Sequence, residues 1–154
     1  MSLEYHIWLE AKKEDVVSLV KNHMSHVKMI EEPEYDEVHF MDTPITVMVT
    51  GKRSGKGSKI LNEICGFDVA CNVWCEIFEE DPDYAKKFIK LVDKILLGIK
   101  GNIVVASNGD TLILKRIANK ITIGKQFFER GMPFDLLSSP WSVVETENAP
   151  LGME

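Results

Sequence analysis

The stretch VACNVWCEIF at residues 69–78 indicates the class of fold, because apolar and polar residues alternate along most of it. One face would carry Val69, Cys71, Val73, Cys75 and Ile77, and the other Ala70, Asn72, Trp74, Glu76 and Phe78. A period of two is typical of a β-strand, in which successive side chains point to opposite faces of a sheet. We expect the face with Asn72 and Glu76 to be only partly buried, as is common in antiparallel sheets.

An amphipathic helix is predicted to follow this strand. Its apolar stripe recurs at helical spacing and consists of Tyr84, Phe88, Leu91, Val92, Ile95, Leu96 and Ile99. Asp81 suits the N-cap, Pro82 the first helical position, and Gly101 the C-terminal end. Because an isolated amphipathic helix is marginal in water, this helix must dock on a sheet.

The residues after the helix predict a three-stranded meander at 103–106, 111–117 and 121–123. Asn108 and Gly109 form a two-residue hairpin signal, because both tolerate positive φ. A second turn is expected at 118–120.

The rest of the chain completes an α+β pattern. The N-terminal half predicts a strand at 5–11, a helix at 12–26, short strands at 37–41 and 45–50, an exposed turn at 51–58, and a short strand or helical turn at 59–65. Because strands come in runs and two helices are clear, we expect a mainly antiparallel sheet with two helices packed on it, rather than βαβ units. From about residue 126 we expect an irregular C-terminal tail, pinned by Phe127, Phe128, Phe134 and Trp141.

The composition predicts a single globular domain over residues 1–154. Apolar residues make up 45% and charged residues 27%, which excludes a disordered chain, a collagen or a coiled coil. The 18 basic and 24 acidic residues give a net charge of −6, which argues against general nucleic-acid binding. We expect no membrane contact, because no apolar run approaches a spanning length and the N-terminus lacks a secretory signal pattern.

The three cysteines, Cys65, Cys71 and Cys75, match neither a disulfide framework nor a zinc ribbon. On one strand, the Cα atoms of Cys71 and Cys75 would lie about 13 Å apart, too far to form a disulfide. We therefore expect buried thiols that act as small apolar residues, in a reducing and hence cytoplasmic compartment.

The segment GKRSGKGS at residues 51–58 invites comparison with phosphate-binding loops. It departs from the Walker A pattern in two places: only three residues separate Gly51 from Gly55, and glycine follows Lys56. We favour a solvated hairpin loop. The alternative function that this segment leaves open is a small-molecule or nucleotide-binding enzyme.

We predict no catalytic residue, no cofactor and no metal site. His23 and His26 have a spacing that could hold a metal, but no acidic residue completes the set, and His23 falls on an apolar helical stripe. His6 and His39 lie on predicted strands without an identifiable partner. The chain contains no G-x-S-x-G and no H-E-x-x-H pattern.

The distribution of charge is the main functional signal. Residues 28–42 carry six acids and one base, a net charge of 1 − 6 = −5, and residues 76–83 add five acids and no base. A solvated acidic surface is one interpretation. The other is a surface that steers a basic protein partner, since complementary fields raise association rates. The candidate partner-binding residues are Glu31, Glu32, Glu34, Asp36 and Glu37. The candidate aromatic anchors are Trp8, Trp74 and Trp141, although at least two of these tryptophans suit the core better.

The order of several segments resembles a known family. These segments are LEYHIWL at 3–9, GF at 66–67, the Asn108, Gly109 and Asp110 turn followed by LILKR at 112–116, and KITI at 120–123. Together they resemble the small immunity proteins of bacterial polymorphic toxin systems, in particular the SitI3-like group. The similarity covers about residues 66–124 and the N-terminal strand. The acidic stretch and the 51–58 segment have no counterpart that can be placed.

This resemblance implies a cytoplasmic, non-enzymatic protein that binds its cognate toxin and protects the producing cell. The toxin would be basic, and this protein a monomer or a small homo-oligomer.

A third functional class, beside the immunity protein and the small-molecule or nucleotide-binding enzyme, is a self-associating domain that uses an exposed edge strand.

Overall fold

The computed structural model describes residues 2–41, 45–52, 55–108 and 111–145. Within these ranges the elements are β1 (Ser2–Leu9), α1 (Lys13–His23), β2 (Lys28–Glu32), β3 (Glu37–Met41), β4 (Ile45–Thr50), α2 (Lys56–Cys65), β5 (Cys71–Phe78), α3 (Tyr84–Gly98), β6 (Ile103–Ser107), β7 (Thr111–Ile117), β8 (Lys120–Gly124), α4 (Lys125–Glu129) and β9 (Trp141–Val144). Two 3-10 turns, Pro33–Tyr35 and Phe134–Leu136, complete the set.

All nine strands form one sheet in the order β2-β3-β4-β5-β1-β6-β7-β8-β9. Every neighbouring pair is antiparallel except β8 and β9, which run parallel. The N-terminal strand β1 lies at the centre, between β5 and β6. The α+β class with a mainly antiparallel sheet is therefore confirmed.

One face of the sheet, here called the helix face, is covered by α1 and α3. The buried residues of β5 are Cys71, Val73, Cys75 and Ile77, the face predicted from the alternation. Tyr5 of β1 and Phe88 of α3 pack with ring centroids 4.4 Å apart. The apolar stripe of α3 is buried against this face, which is why a helix of this pattern needs the sheet.

The opposite face, here called the open face, has a smaller apolar cluster at one end. Trp8, Val104, Ala106 and Leu112 pack there with Phe67 and Val69, and α2 adds Leu61 and Cys65. Further along this face, Met48, His39 and Ile30 are half-buried side chains of β4, β3 and β2. The polar face of β5 is also only partly buried, as expected.

Several predicted elements are confirmed with small shifts. β3 and β4 have the predicted bounds, and the meander is formed by β6, β7 and β8. The turn between β7 and β8 places Ala118 and Asn119 at positive φ, as a tight hairpin turn requires. Asn108 also has positive φ, but Gly109 and Asp110 lie outside the described residues.

Three predictions are wrong in detail. The described residues contain four α-helices rather than two, because α2 and α4 are short and their patterns are weak. The C-terminal tail is not irregular throughout: it contains α4, a 3-10 turn and β9, and β9 is ordered by pairing with β8.

The third concerns the start of α3, which lies at Tyr84 rather than at Pro82. The Asp81 side chain accepts a hydrogen bond from the backbone N–H of Asp83 at 2.7 Å and so forms a local turn instead of an N-cap. Asp81 also pairs with Lys87 at 3.0 Å.

Candidate functional site

The five predicted partner-binding acids lie together in one hairpin at the edge of the sheet. β2, the 3-10 turn and β3 form this acidic hairpin, residues 28–41, with a register from Lys28 opposite Met41 to Glu32 opposite Glu37. β2 is the terminal strand in the sheet order and pairs with β3 alone among the described strands. Asp42, the sixth acid of the predicted stretch, lies outside the described residues.

The acids of the hairpin differ in exposure and partners. Glu31, Glu34 and Asp36 are exposed, whereas Glu32 and Glu37 are half-buried. Asp36 adopts positive φ at the end of the turn, and Lys13 of α1 donates to its carboxylate at 2.5 Å. Part of the predicted charge is therefore neutralised within the molecule.

Asp36 also lies close to the residue after β4. A Cβ at Gly51 would overlap the Asp36 carboxylate, so a larger residue there would require this side chain to move. Asp36 therefore links the hairpin to α1, and the outward negative charge of the hairpin comes mainly from the exposed Glu31 and Glu34.

An exposed aromatic residue lies at the tip of the hairpin. Tyr35, between Glu34 and Asp36, is 58% exposed. Tyrosine is enriched among the residues that dominate protein–protein binding energy. The sequence interpretation missed Tyr35, although its position between two acids was visible. Its exposure depends on the 3-10 turn that joins β2 to β3.

A second group lies on the open face of the same hairpin. His39 Nε2 is 3.1 Å from Glu37 Oε1 and 3.7 Å from Glu32 Oε1. The sequence offered His39 no partner, because Glu32 reaches it only through the pairing of β2 with β3. Two of the five predicted acids thus belong to a carboxylate–imidazole cluster.

Half-buried side chains continue from this cluster across the open face. In register, Ile30 is opposite His39, His39 opposite Met48, Met48 opposite Trp74, and Trp74 opposite His6. The His6 ring stacks on Trp8 with centroids 5.5 Å apart. Burial lowers the pKa of His6, although Asn72 and Glu4 act in the opposite direction. This row makes a mixed apolar and aromatic strip beside the acidic hairpin.

Of the three tryptophans considered as anchors, Trp8 is buried, and Trp74 and Trp141 are half-buried. Trp8 therefore belongs to the core. Trp141 packs against Phe134 and Phe128 of the C-terminal segment.

The 51–58 segment connects a strand to a helix, so the predicted hairpin loop is wrong. β4 ends at Thr50 and α2 begins at Lys56, and Lys52 pairs with Asp68 at 3.0 Å. Arg53 and Ser54 lie outside the described residues. The sequence left a short strand or a helical turn open at 59–65, and the structure has a helix that begins earlier, at Lys56. Gly57 and Ser58 in its first turn weaken the helical pattern.

His23, the last residue of α1, and His26, three residues after it, border a cavity of about 290 Å³ between α1 and α3. His23 is half-buried and His26 exposed, and Lys87 and Lys90 line the same cavity. Burial lowers the pKa of His23, and Lys94 and His26 add to this effect. The cationic lining disfavours a metal ion there.

Cys71 and Cys75 are free and buried on the helix face, as predicted, and Cys65 is free and half-buried. Burial raises the pKa of Cys71 and of Cys75 to about 12, and that of Cys65 to about 11. These thiols are therefore protonated at neutral pH, which does not suit a nucleophile.

Comparisons with protein-family models, with curated proteins and with solved structures give no match. Among the described residues, no helix combines the length and the apolar character needed to cross a membrane.

Proposed function

We propose that this protein is a non-enzymatic immunity protein that binds a basic bacterial toxin in the cytoplasm and neutralises it. The observation that carries the proposal is the acidic hairpin at the sheet edge, which exposes Glu31, Glu34 and Tyr35. The resemblance to the SitI3-like immunity proteins supports the same class. The protein acts as a monomer or a small homo-oligomer.

The electrostatics support a basic partner. The chain carries a net charge of −6, and the hairpin concentrates negative charge at one edge. Charge of this kind steers association and selects among partners more than it adds to the affinity of the bound state. Tyr35 supplies the contact area that acidic side chains lack, because a tyrosine ring is rigid and partly apolar.

The position of the hairpin also supports binding rather than core packing. A β-hairpin at the end of a sheet is held by the ladder on one side and leaves the other accessible. The ion pair of Lys13 with Asp36 and the proximity of Asp36 to Gly51 favour one orientation of the tip. A preformed surface loses less conformational entropy on binding than a mobile loop.

The experiment uses the intact protein as an affinity bait in lysate of the source bacterium, at low and at moderate salt. Each protein retained in stoichiometric amount is then expressed in a heterologous bacterium, with and without this chain. We expect one basic protein that arrests growth alone and does not arrest growth when co-expressed. A retained partner whose expression is harmless, or whose toxicity this chain does not suppress, overturns the proposal.

The acidic hairpin is tested with Glu31→Lys/Glu34→Lys and, separately, with Tyr35→Ala. The matched control is Glu63→Lys/Glu129→Lys, which changes the net charge equally at two exposed acids outside the hairpin. We expect the hairpin reversal to weaken toxin binding at least tenfold and to flatten its salt dependence, while the control binds like the wild type. Equal affinity and salt dependence in both variants would show that the toxin binds elsewhere.

A nucleotide-binding enzyme remains the second candidate, because the 51–58 segment joins a strand to a helix, as phosphate-binding loops do. A ligand bound to the folded state raises the melting temperature by mass action. Stabilisation by ATP, GTP or inorganic phosphate that is lost in Lys56→Ala favours this candidate.

A further inference from the structure

We propose that Glu32, Glu37 and His39 form a binding site for a divalent transition-metal ion, with Zn²⁺ as the ion that suits it best. The site lies on the open face of the acidic hairpin. It does not depend on the proposed toxin, because the isolated protein should bind the ion.

The distances between the ligand atoms fit a tetrahedral ion. Zn²⁺ lies about 2.0–2.1 Å from histidine nitrogen and about 2.0–2.2 Å from carboxylate oxygen, so that neighbouring ligand atoms in a tetrahedron are about 3.3–3.5 Å apart. His39 Nε2 is 3.1 Å from Glu37 Oε1 and 3.7 Å from Glu32 Oε1, one slightly below and one slightly above that separation. The ligand atoms of all three residues lie within 4.8 Å of one another. Small side-chain rotations therefore bring them to an ion.

The sheet holds the three residues in place. Glu32 ends β2 and Glu37 begins β3, and the register places the two directly opposite each other. His39 follows Glu37 by two residues in the same strand, so that its side chain points to the same face. Ligands on paired strands are positioned by backbone hydrogen bonds, which reduces the entropy lost when an ion binds.

The register also puts two like charges opposite each other. Carboxylates in directly opposed positions of an antiparallel pair destabilise it. The structure places His39 at this point, but an imidazole carries a positive charge only when protonated. A divalent cation between the carboxylates removes this repulsion.

The ligand types select among cations. One imidazole nitrogen and two carboxylate oxygens suit Zn²⁺ and related transition-metal ions, whereas Ca²⁺ and Mg²⁺ favour sets made only of oxygen. Three protein ligands leave one position of a tetrahedral ion for water or for a group from a bound partner.

The competing explanation is a simple ion pair between protonated His39 and the two carboxylates. The two explanations differ in the direction of their pH dependence. An ion pair needs the protonated ring and strengthens as the pH falls, whereas a metal needs the neutral ring and binds less well as the pH falls.

The experiment titrates the chelator-treated protein with ZnCl₂ in a calorimeter and in thermal unfolding, at pH 7.5 and at pH 5.5, with MgCl₂ as the second ion. The site variants are His39→Gln, Glu37→Gln and Glu32→Gln. The matched controls are His26→Gln, at an exposed histidine outside the hairpin, and Cys65→Ser, at the most accessible thiol. Circular dichroism establishes that each variant is folded.

We expect one Zn²⁺ per chain, an increase in melting temperature that is absent with Mg²⁺, and weaker binding at pH 5.5. Binding should fall at least tenfold in His39→Gln and in Glu37→Gln, and remain unchanged in both controls. The proposal is overturned if the wild type binds no Zn²⁺ at micromolar concentration, if His39→Gln binds as the wild type does, or if a control removes the binding. Co²⁺ bound at the site should show the visible absorption of a tetrahedral ion, which Glu32→Gln should reduce.

Discussion

The guanidinium of Arg116, in β7, donates from Nη1 to the carbonyl oxygen of Leu96, in the last turn of α3, at 2.6 Å. Its Nη2 donates to Ile99 O at 2.5 Å and its Nε to Gly101 O at 3.0 Å. The last carbonyls of a helix lack partners within the helix and lie at the negative end of its dipole. One buried arginine thus satisfies the end of α3 and ties it to the sheet.

Arg116→Lys should destabilise the protein by about 2–3 kcal/mol, although it keeps the charge. Lysine has one ammonium group and cannot reproduce the fork that reaches three carbonyls, so buried acceptors lose their partners. Denaturant unfolding measures the change, with Arg130→Lys at an exposed position as the control, expected within about 0.5 kcal/mol of the wild type. A similar free energy of unfolding for both variants would contradict the role assigned to Arg116.

A second connection joins α3 to the C-terminal segment. Asp93 is 9% exposed, and its carboxylate accepts from the backbone N–H and from the hydroxyl of Ser138, each at 2.8 Å. Asp93→Ala should destabilise the protein more than Ser138→Ala, because alanine at position 138 keeps the backbone donor. In a double-mutant cycle we expect a coupling free energy of about 1–2 kcal/mol. Additive effects would show that the hydroxyl contributes nothing.

The stability should fall when the pH drops below about 6.5. Burial lowers the pKa of His6 and of His23 in the folded protein, so that the unfolded chain binds more protons in this range. The contribution is fully present above the unfolded pKa and is lost as the pH falls toward the folded value. Unfolding in urea at pH 7.5 and pH 5.5 should give a smaller difference for His6→Gln than for the wild type. An equal difference in the two proteins would contradict the lowered pKa of His6.

The cysteines should react slowly in the folded protein. Burial raises the pKa of Cys65 to about 11 and the pKa of Cys71 and Cys75 to about 12, so few thiolates exist at pH 8. A chromogenic disulfide reagent should modify all three thiols at once in guanidinium chloride. In native buffer we expect Cys65 to react first, because the other two are buried. Rapid native modification of Cys71 would contradict the burial of β5.

Elements with a strong local pattern were predicted from the sequence, whereas elements that depend on pairing with distant residues were not. The alternation of β5 and the stripe of α3 were read correctly, because each period depends on neighbouring residues that share one face. β2 was missed, because its acids and the following Pro33 look like a loop until β3 pairs with it. β9 is a strand of only four residues that pairs in parallel with β8, and no local sequence pattern predicts such a pairing.

The same distinction applies to the candidate site, where the exposed acids were predicted but the contacts between elements were not. Glu31 and Glu34 are exposed, as the concentration of charged residues at 28–42 suggested. Lys13 was not expected to reach Asp36, nor His39 to reach Glu32, because both contacts join elements that only folding brings together.

The sequence by itself determined the α+β class, the buried faces of the main strand and helix, and the concentration of acid in residues 28–42. These are properties of local periodicity and charge. The tertiary structure alone decided that β1 lies between β5 and β6, with Tyr5 opposite both Cys75 and Ser107, and that Glu32, Glu37 and His39 converge. Strand pairing is chosen by hydrogen bonds and packing between distant residues, and the periodicity of a single strand does not specify its neighbour.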